Sequence, residues 1–213
     1  AGTYKLKADL EITSSIEISA KITLDLNGYK ITATGVHTIV VKSTGDLTVI
    51  DSSTDADKKG AVDVKNTGYG ALFIETGGKA TLNGGLFERS GETATKIDGK
   101  EPANKDSWYT IKNLGTLTIN EGAVVKNYVP GAGVDVTKIT GASSNICNGG
   151  DGATSPATLV INGGAIDGGL NAVKNDEYGV LTIKAGTITN QIQVAVMNWG
   201  EATIDGGSFT GYQ

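Results

Sequence analysis

The chain has 213 residues and 38% hydrophobic content, which is enough for one sizeable core, and no low-complexity linker divides it. A net charge of -5 and a single arginine, Arg89, argue against a nucleic-acid partner, which needs a basic face, and no apolar run is long enough for membrane insertion. The 31 glycines follow no collagen-like period and therefore indicate turns. We expect residues 1–213 to form one domain.

A short strand motif, x-Thr-aliphatic-Asn/Asp-Gly-Gly, recurs along the chain. Its central aliphatic residues are Leu26, Val49, Leu82, Ile119, Ile161, Ile183 and Ile204. The strand alternates inward aliphatic and outward residues, and the glycines suit a sharp turn at positive φ. A basic period of about 22 residues, with insertions in the middle coils, predicts a solenoid. Because no helical apolar periodicity is present, we expect strands only, without the helical return of leucine-rich repeats.

Each coil is predicted to carry three short strands, which gives a three-sided cross-section. The side chains that we expect to face the interior from the second strand are Phe87, Ile166, Ile188 and Phe209. Those that we expect to face it from the third strand are Phe73, Ile111, Ile146, Val173 and Val196. An asparagine opens the following corner at Asn113, Asn148, Asn175 and Asn198. Stacked coils align equivalent residues in rows. One outward row should contain Thr48, Thr81, Thr118, Thr182 and Thr203.

Insertions at the corners of the middle coils are candidate binding regions. The segments 90–107 and 128–145 should leave adjacent coils at one corner, and 149–156 should leave the next corner. Aromatic residues beside the first pair are candidate contacts for a sugar or a protein, namely Trp108, Tyr109 and Tyr128. Tyr178 and Trp199 form a second candidate. They either stack on each other and cover a corner or contact a carbohydrate or another subunit.

Three aspartates follow the second repeat copy, where hard oxygen ligands could gather around Ca²⁺. They are Asp51, Asp55 and Asp57, and the alternative is a flexible polar loop. Cys147 has no second cysteine or partner histidine nearby, so we expect it to face outward or into a loop without chemistry.

The segments 2–6 and 24–31 and the repeat of 195–209, which reads Ala-Val-x-Asn-x-Gly-x-Ala-Thr-Ile-Asp-Gly-Gly-x-Phe, resemble a known group. They are similar to the pectate-lyase-like β-helix repeats of bacterial surface proteins and phage virion fibres or decoration proteins. The resemblance implies an all-β, right-handed parallel β-helix. It also implies an extracellular location, on a virion or a bacterial cell surface.

The resemblance also implies two possible catalytic arrangements. One binds Ca²⁺ with clustered aspartates and uses a Lys or Arg base. The other hydrolyses with aspartates, assisted by a histidine and an Arg-x-Lys segment. Neither set is evident, because His37 is the only histidine, no Asp-Asp pair occurs, and Ser90 and Gly91 follow Arg89. Glu88, Arg89 and Asp167 could still share a face as an atypical catalytic patch. The alternative is a solvated surface with ordinary ion pairs.

These observations favour a non-enzymatic surface-display or structural solenoid, such as a phage head-fibre or virion decoration protein or an adhesin-like module. It would contact a glycan or other subunits of an assembly, including copies of itself. The alternatives are a polysaccharide lyase or glycoside hydrolase with an atypical site, and a mechanical spacer without a ligand. Because no capping segment follows Phe209, we expect another domain, subunit or fibre segment after Gln213.

Overall fold

A computed structural model describes residues 2–55, 57–65, 68–90 and 108–212. In chain order the strands are β1 (Gly2–Lys5), β2 (Leu10–Ile12), β3 (Ile16–Ile18), β4 (Lys21–Asp25), β5 (Lys30–Thr34), β6 (Ile39–Val41), β7 (Asp46–Ile50), β8 (Ala61–Lys65), β9 (Leu72–Ile74), β10 (Lys79–Leu82), β11 (Gly85–Glu88), β12 (Ile111–Asn113), β13 (Thr116–Ile119), β14 (Ala123–Lys126), β15 (Ile146–Asn148), β16 (Ala157–Ile161), β17 (Ala165–Asp167), β18 (Val173–Asn175), β19 (Gly179–Ile183), β20 (Thr187–Thr189), β21 (Val196–Asn198), β22 (Glu201–Ile204) and β23 (Ser208–Thr210). A 3-10 helix spans Val136–Lys138. None of the described ranges contains a helix long and apolar enough to cross a membrane.

Each of the first seven coils contributes one strand to each of three parallel sheets, and the eighth contributes β22 and β23 to the first two. The fold is a right-handed parallel β-helix, as predicted. The first sheet has the order β1-β4-β7-β10-β13-β16-β19-β22 and the second β2-β5-β8-β11-β14-β17-β20-β23. The third has the order β3-β6-β9-β12-β15-β18-β21. Aliphatic side chains from the three sheets fill the interior, where most are fully buried.

Strand register confirms the predicted outward threonine row on the first sheet. Its members are Thr3, Thr23, Thr48, Thr81, Thr118, Thr182 and Thr203, with Val160 completing the row. On the third sheet the predicted inward position of Phe73 is wrong. Phe73 pairs with Val40 and Lys112 on the outer face, while Leu72 and Ile74 point inward. Three consecutive apolar residues leave the phase of the alternation undefined, and the two aliphatic side chains take the core.

The asparagines at the corner after the third sheet form a side-chain ladder. The Nδ2 of each asparagine donates to the Oδ1 of the asparagine in the next coil, over 2.7 Å in each case. The hydrogen bonds run from Asn113 to Asn148, from Asn148 to Asn175 and from Asn175 to Asn198. The first three side chains are fully buried. The ladder therefore satisfies buried amides from one coil to the next. A second ladder, Asn83–Asn120–Asn162, lies at the solvent-facing corner after the first sheet.

Candidate functional site

The outer face of the third sheet, which we call the third-sheet face, is flanked by insertions along both edges. Its outward row comprises Val40, Phe73, Lys112, Cys147, Lys174 and Met197. The long segment 127–145, between β14 and β15, leaves the corner between the second and third sheets. Nearly all of the predicted insertion 90–107 lies outside the described residues. Segment 149–156 leaves the opposite corner, between β15 and β16. The middle of the face thus lies between insertions at two corners.

An aromatic cluster covers the part of this face nearest β9. The ring of His37 stacks on Phe73 with centroids 5.1 Å apart and an interplanar angle of 14°. Tyr69 meets His37 edge-on at 5.3 Å, and Trp108 lies 5.9 Å from it at a tilt. Tyr109 continues the cluster at 5.6 Å from Trp108. Four aromatic residues and a histidine, drawn from three coils, therefore form one continuous surface.

Backbone groups and a buried cation hold this cluster in place. The N–H of Gly70 donates to Nδ1 of His37 at 2.9 Å, which places the proton of the neutral ring on Nε2. A Cβ on Gly70 would lie 2.6 Å from the carbonyl oxygen of Tyr109, so only glycine permits this approach. Arg89 is buried and donates from Nη1 to the carbonyl oxygen of Trp108 at 2.7 Å. These contacts tie together the chain segments that carry the rings.

Burial lowers the pKa of two ionisable groups, His37 within the cluster and Arg89 beside it. Desolvation lowers the pKa of His37, and the nearby positive charge of Arg89 lowers it further. Desolvation also lowers the pKa of Arg89 to about 10, so its guanidinium stays charged at neutral pH. Because both effects oppose a second positive charge, the histidine is neutral in the folded protein at pH 7.

Two lysines continue the third-sheet face beyond the cluster. The ammonium of Lys112 lies 5.5 Å from the ring centroid of Tyr109 and donates to Sγ of Cys147 at 3.4 Å. Cys147 belongs to the outward row, yet it is fully buried. Lys174 lies beneath the ring of Trp199, 4.8 Å from its centroid. Each lysine is thus paired with an aromatic ring.

Trp199 and Tyr178 are both exposed but do not stack on each other within the described residues. Trp199 is 67% exposed and Tyr178 42%. Lys174, under the Trp199 ring, also donates to Asp176 at 2.7 Å. Trp199 occupies the corner position of Asp176 in the preceding coil, since its N–H bonds the carbonyl of Asn175. The expectation that the two rings cover the corner together is therefore not met, and Trp199 presents one ring face to Lys174.

An open concavity of about 410 Å³ lies at the corner between the third and first sheets. It is lined by Lys112, Leu114, Gly149, Gly150, Asp151, Asp176, Glu177 and Tyr178. Thr76 donates a hydrogen bond to the carboxylate of Asp151, and the backbone N–H of Glu177 donates to Asp176. Both signs of charge and an apolar side chain therefore line one depression.

Tyr128 does not join the predicted platform with Trp108 and Tyr109. Its backbone N–H donates to the side chain of Asn127 at 2.7 Å, and burial raises the pKa of its hydroxyl. No ring contact links it to the aromatic cluster in the described part of the chain. The cluster instead includes His37 and Phe73, which the sequence did not indicate as binding residues.

The candidate catalytic residues occupy different environments on the second sheet. Glu88 accepts from the ammonium of Lys30 at 2.9 Å, and Lys30 also pairs with the fully buried carboxylate of Asp63 at 2.8 Å. Asp167 follows on the same outward side, in register with Lys126. Arg89 points into the corner towards Trp108. The three candidates therefore do not converge on one cleft, and Asp63 is the carboxylate that sequence reasoning missed.

Two of the candidate calcium ligands, Asp51 and Asp55, accept backbone N–H groups. Asp51 accepts the N–H groups of Gly28 and Gly60 at 2.7 Å each, so both its oxygens serve the backbone of the corner. Asp55 accepts the N–H of Asp57 at 3.0 Å. Among the described residues, no three acidic, histidine or cysteine side chains come close enough to hold a metal ion.

Fold and site together define a parallel β-helix that carries a cluster of partly exposed aromatic side chains on the outside of its third sheet. The chain matches no protein-family model, no curated protein and no solved structure. The assignment to the parallel β-helix class therefore rests on strand pairing, and the choice of site rests on side-chain geometry.

Proposed function

We propose that the protein is a non-enzymatic β-solenoid module that binds a glycan or a protein partner through its third-sheet face. The observation that carries this proposal is the aromatic cluster of His37, Tyr69, Phe73, Trp108 and Tyr109 on the outside of the sheet. Aromatic side chains combine a large apolar surface with polar edges, which suits contacts to sugars and to protein side chains. The solenoid holds this surface on a rigid support.

The setting follows from the sequence resemblance to pectate-lyase-like surface and virion repeats. We propose that the module stands on a virion, as a head-fibre or decoration protein, or on a bacterial cell surface, as part of an adhesin. An extracellular location is compatible with its single buried cysteine, because the fold depends on packing and strand pairing and not on disulfides.

The competing assignment, a polysaccharide lyase or hydrolase, has less support. Acid–base cleavage of a glycosidic bond needs two carboxylates whose environments separate their pKa values. The two neighbouring carboxylates of the second sheet, Asp63 and Glu88, share one partner, the ammonium of Lys30, so they do not occupy separate environments. Asp63 is moreover fully buried. Release of reducing ends or unsaturated products from a polysaccharide panel would reverse this preference.

Binding should be tested by glycan-array screening followed by titration of the best ligand against two variants. Trp108→Ala removes the central ring of the cluster and should weaken binding about tenfold or more. Tyr29→Ala removes a half-buried tyrosine at the corner between the first and second sheets and should leave affinity unchanged. Equal effects of the two substitutions would contradict the assignment of the site. Absence of any glycan or protein ligand would favour the mechanical spacer.

A further inference from the structure

We infer that the third-sheet face takes a neutral, extended glycan chain that crosses several coils and spans two aromatic subsites. The first subsite is the cluster around Trp108 and Tyr109, and the second is Trp199. This inference rests on the proposed binding function and adds the ligand class and its extent.

One row of the third sheet lies between the two subsites. Lys112, Cys147 and Lys174 are consecutive partners in that row. With a strand spacing of about 4.8 Å, the two lysines stand about 10 Å apart along the axis. The ring of Tyr109 contacts the first ammonium and the ring of Trp199 contacts the second. Tyr109 precedes β12 at one edge of this face, and Trp199 follows β21 at the other edge, three coils away. A ligand that touches both rings must therefore extend across several coils and contain several sugar units.

The polar groups between the rings favour an uncharged ligand. Lys112 and Lys174 provide ammonium groups, and each already contacts a ring and a further polar group. Three carboxylates line the adjoining concavity, namely Asp151, Asp176 and Glu177. An anionic chain would meet these carboxylates, and a cationic chain would meet the lysines. Sugar hydroxyls both donate and accept hydrogen bonds, so a neutral glycan can use both sets.

Trp199 has the exposure that a stacking platform requires. Its side chain is 67% exposed, and the ammonium of Lys174 covers one face of the ring. The other face is available to the apolar C–H surface of a sugar ring. The ion pair of Lys174 with Asp176 at 2.7 Å fixes the lysine under the ring. The platform is therefore held in position before the ligand binds.

Two subsites on one ligand predict a dependence on chain length. A short oligosaccharide can occupy one subsite only, whereas a longer chain occupies both and gains affinity through the high effective concentration of its second half. We would measure binding by isothermal titration with manno-, xylo- and cello-oligosaccharides from disaccharides to octasaccharides. Oligogalacturonates of the same lengths provide the acidic comparison.

For at least one neutral series we expect affinity to rise about tenfold or more between the shortest and longest chains. Trp199→Ala should remove this gain while leaving the affinity for short chains unchanged, whereas Trp108→Ala should weaken both. Binding should be the same at low and high salt, because no net charge is neutralised. Circular dichroism and thermal melting should confirm that both variants fold, and Tyr29→Ala again serves as the control.

Several results would overturn the inference while leaving the proposed function intact. These are a length-independent affinity that depends on Trp108 but not Trp199, salt-sensitive binding restricted to oligogalacturonates, and binding of a protein partner that Trp108→Ala abolishes. If no saccharide and no protein binds, both the inference and the proposed function fail.

Discussion

The buried asparagine ladder should make a large and measurable contribution to stability. In the ladder Asn148 is fully buried, accepts from Asn113 and donates to Asn175, both over 2.7 Å. Asn148→Ala would remove two hydrogen bonds worth about 1 kcal/mol each and leave the Oδ1 of Asn175 buried without this donor, at a cost of about 1–3 kcal/mol. We therefore expect the free energy of unfolding to fall by about 3–5 kcal/mol.

The exposed ladder offers a matched control, because Asn120 also bonds an asparagine on each side, Asn83 over 2.7 Å and Asn162 over 2.9 Å. Water can replace those partners, so Asn120→Ala should cost about 1 kcal/mol or less. Urea unfolding measures the difference, and the buried variant should melt about 6–20 °C lower than the wild type, at about 2–4 °C per kcal/mol. If the two variants are equally stable, ladder burial is not the source of the stability.

Two further predictions concern ionisable groups. The folded-state pKa of His37 lies below its unfolded value of 6.5, so its stabilising contribution is complete above pH 6.5 and declines as the pH falls from there towards the folded pKa. Thermal melting between pH 7.5 and pH 5 should show a smaller loss for His37→Gln than for the wild type, and equal losses would contradict the burial of a neutral imidazole. Lys30→Met removes the ammonium paired with buried Asp63 and should cost about 3 kcal/mol in urea unfolding. Lys21→Met, whose 3.9 Å pair with Asp46 is exposed, should change stability by about 0.5 kcal/mol or less; a similar loss in both would refute the role of burial.

The periodic features of the fold were predictable from sequence because each recurs once per coil. The threonine row and the asparagine corner are both read from the spacing of equivalent residues. Phe73 was assigned to the wrong side because both of its neighbours are apolar. A single strand of three apolar residues does not show which of them faces the core, whereas pairing with Lys112 in the next coil settles the question.

The candidate site was only partly predictable because its contacts join residues of different coils, which lie far apart in the sequence. Trp108 and Tyr109 were identified from their place beside an insertion. His37 and Phe73 join them only after coils of unequal length are stacked in register. The pairing of Lys30 with Asp63 depends on the same stacking. Because the number of residues per coil varies, residues that are neighbours in adjacent coils cannot be identified from their spacing in the sequence. The alternation Val62-Asp63-Val64 does indicate that Asp63 is an outward residue of β8.

The row from Lys112 to Lys174 also sets a distance along the solenoid axis. Because strand pairing fixes its spacing, the axial separation of Tyr109 and Trp199 can change only by whole coils, in increments of about 4.8 Å. Gain or loss of one coil would shift the second ring by one increment while preserving every core contact on either side. Related solenoids could thus select ligands of different length by coil number alone, without redesigning either ring.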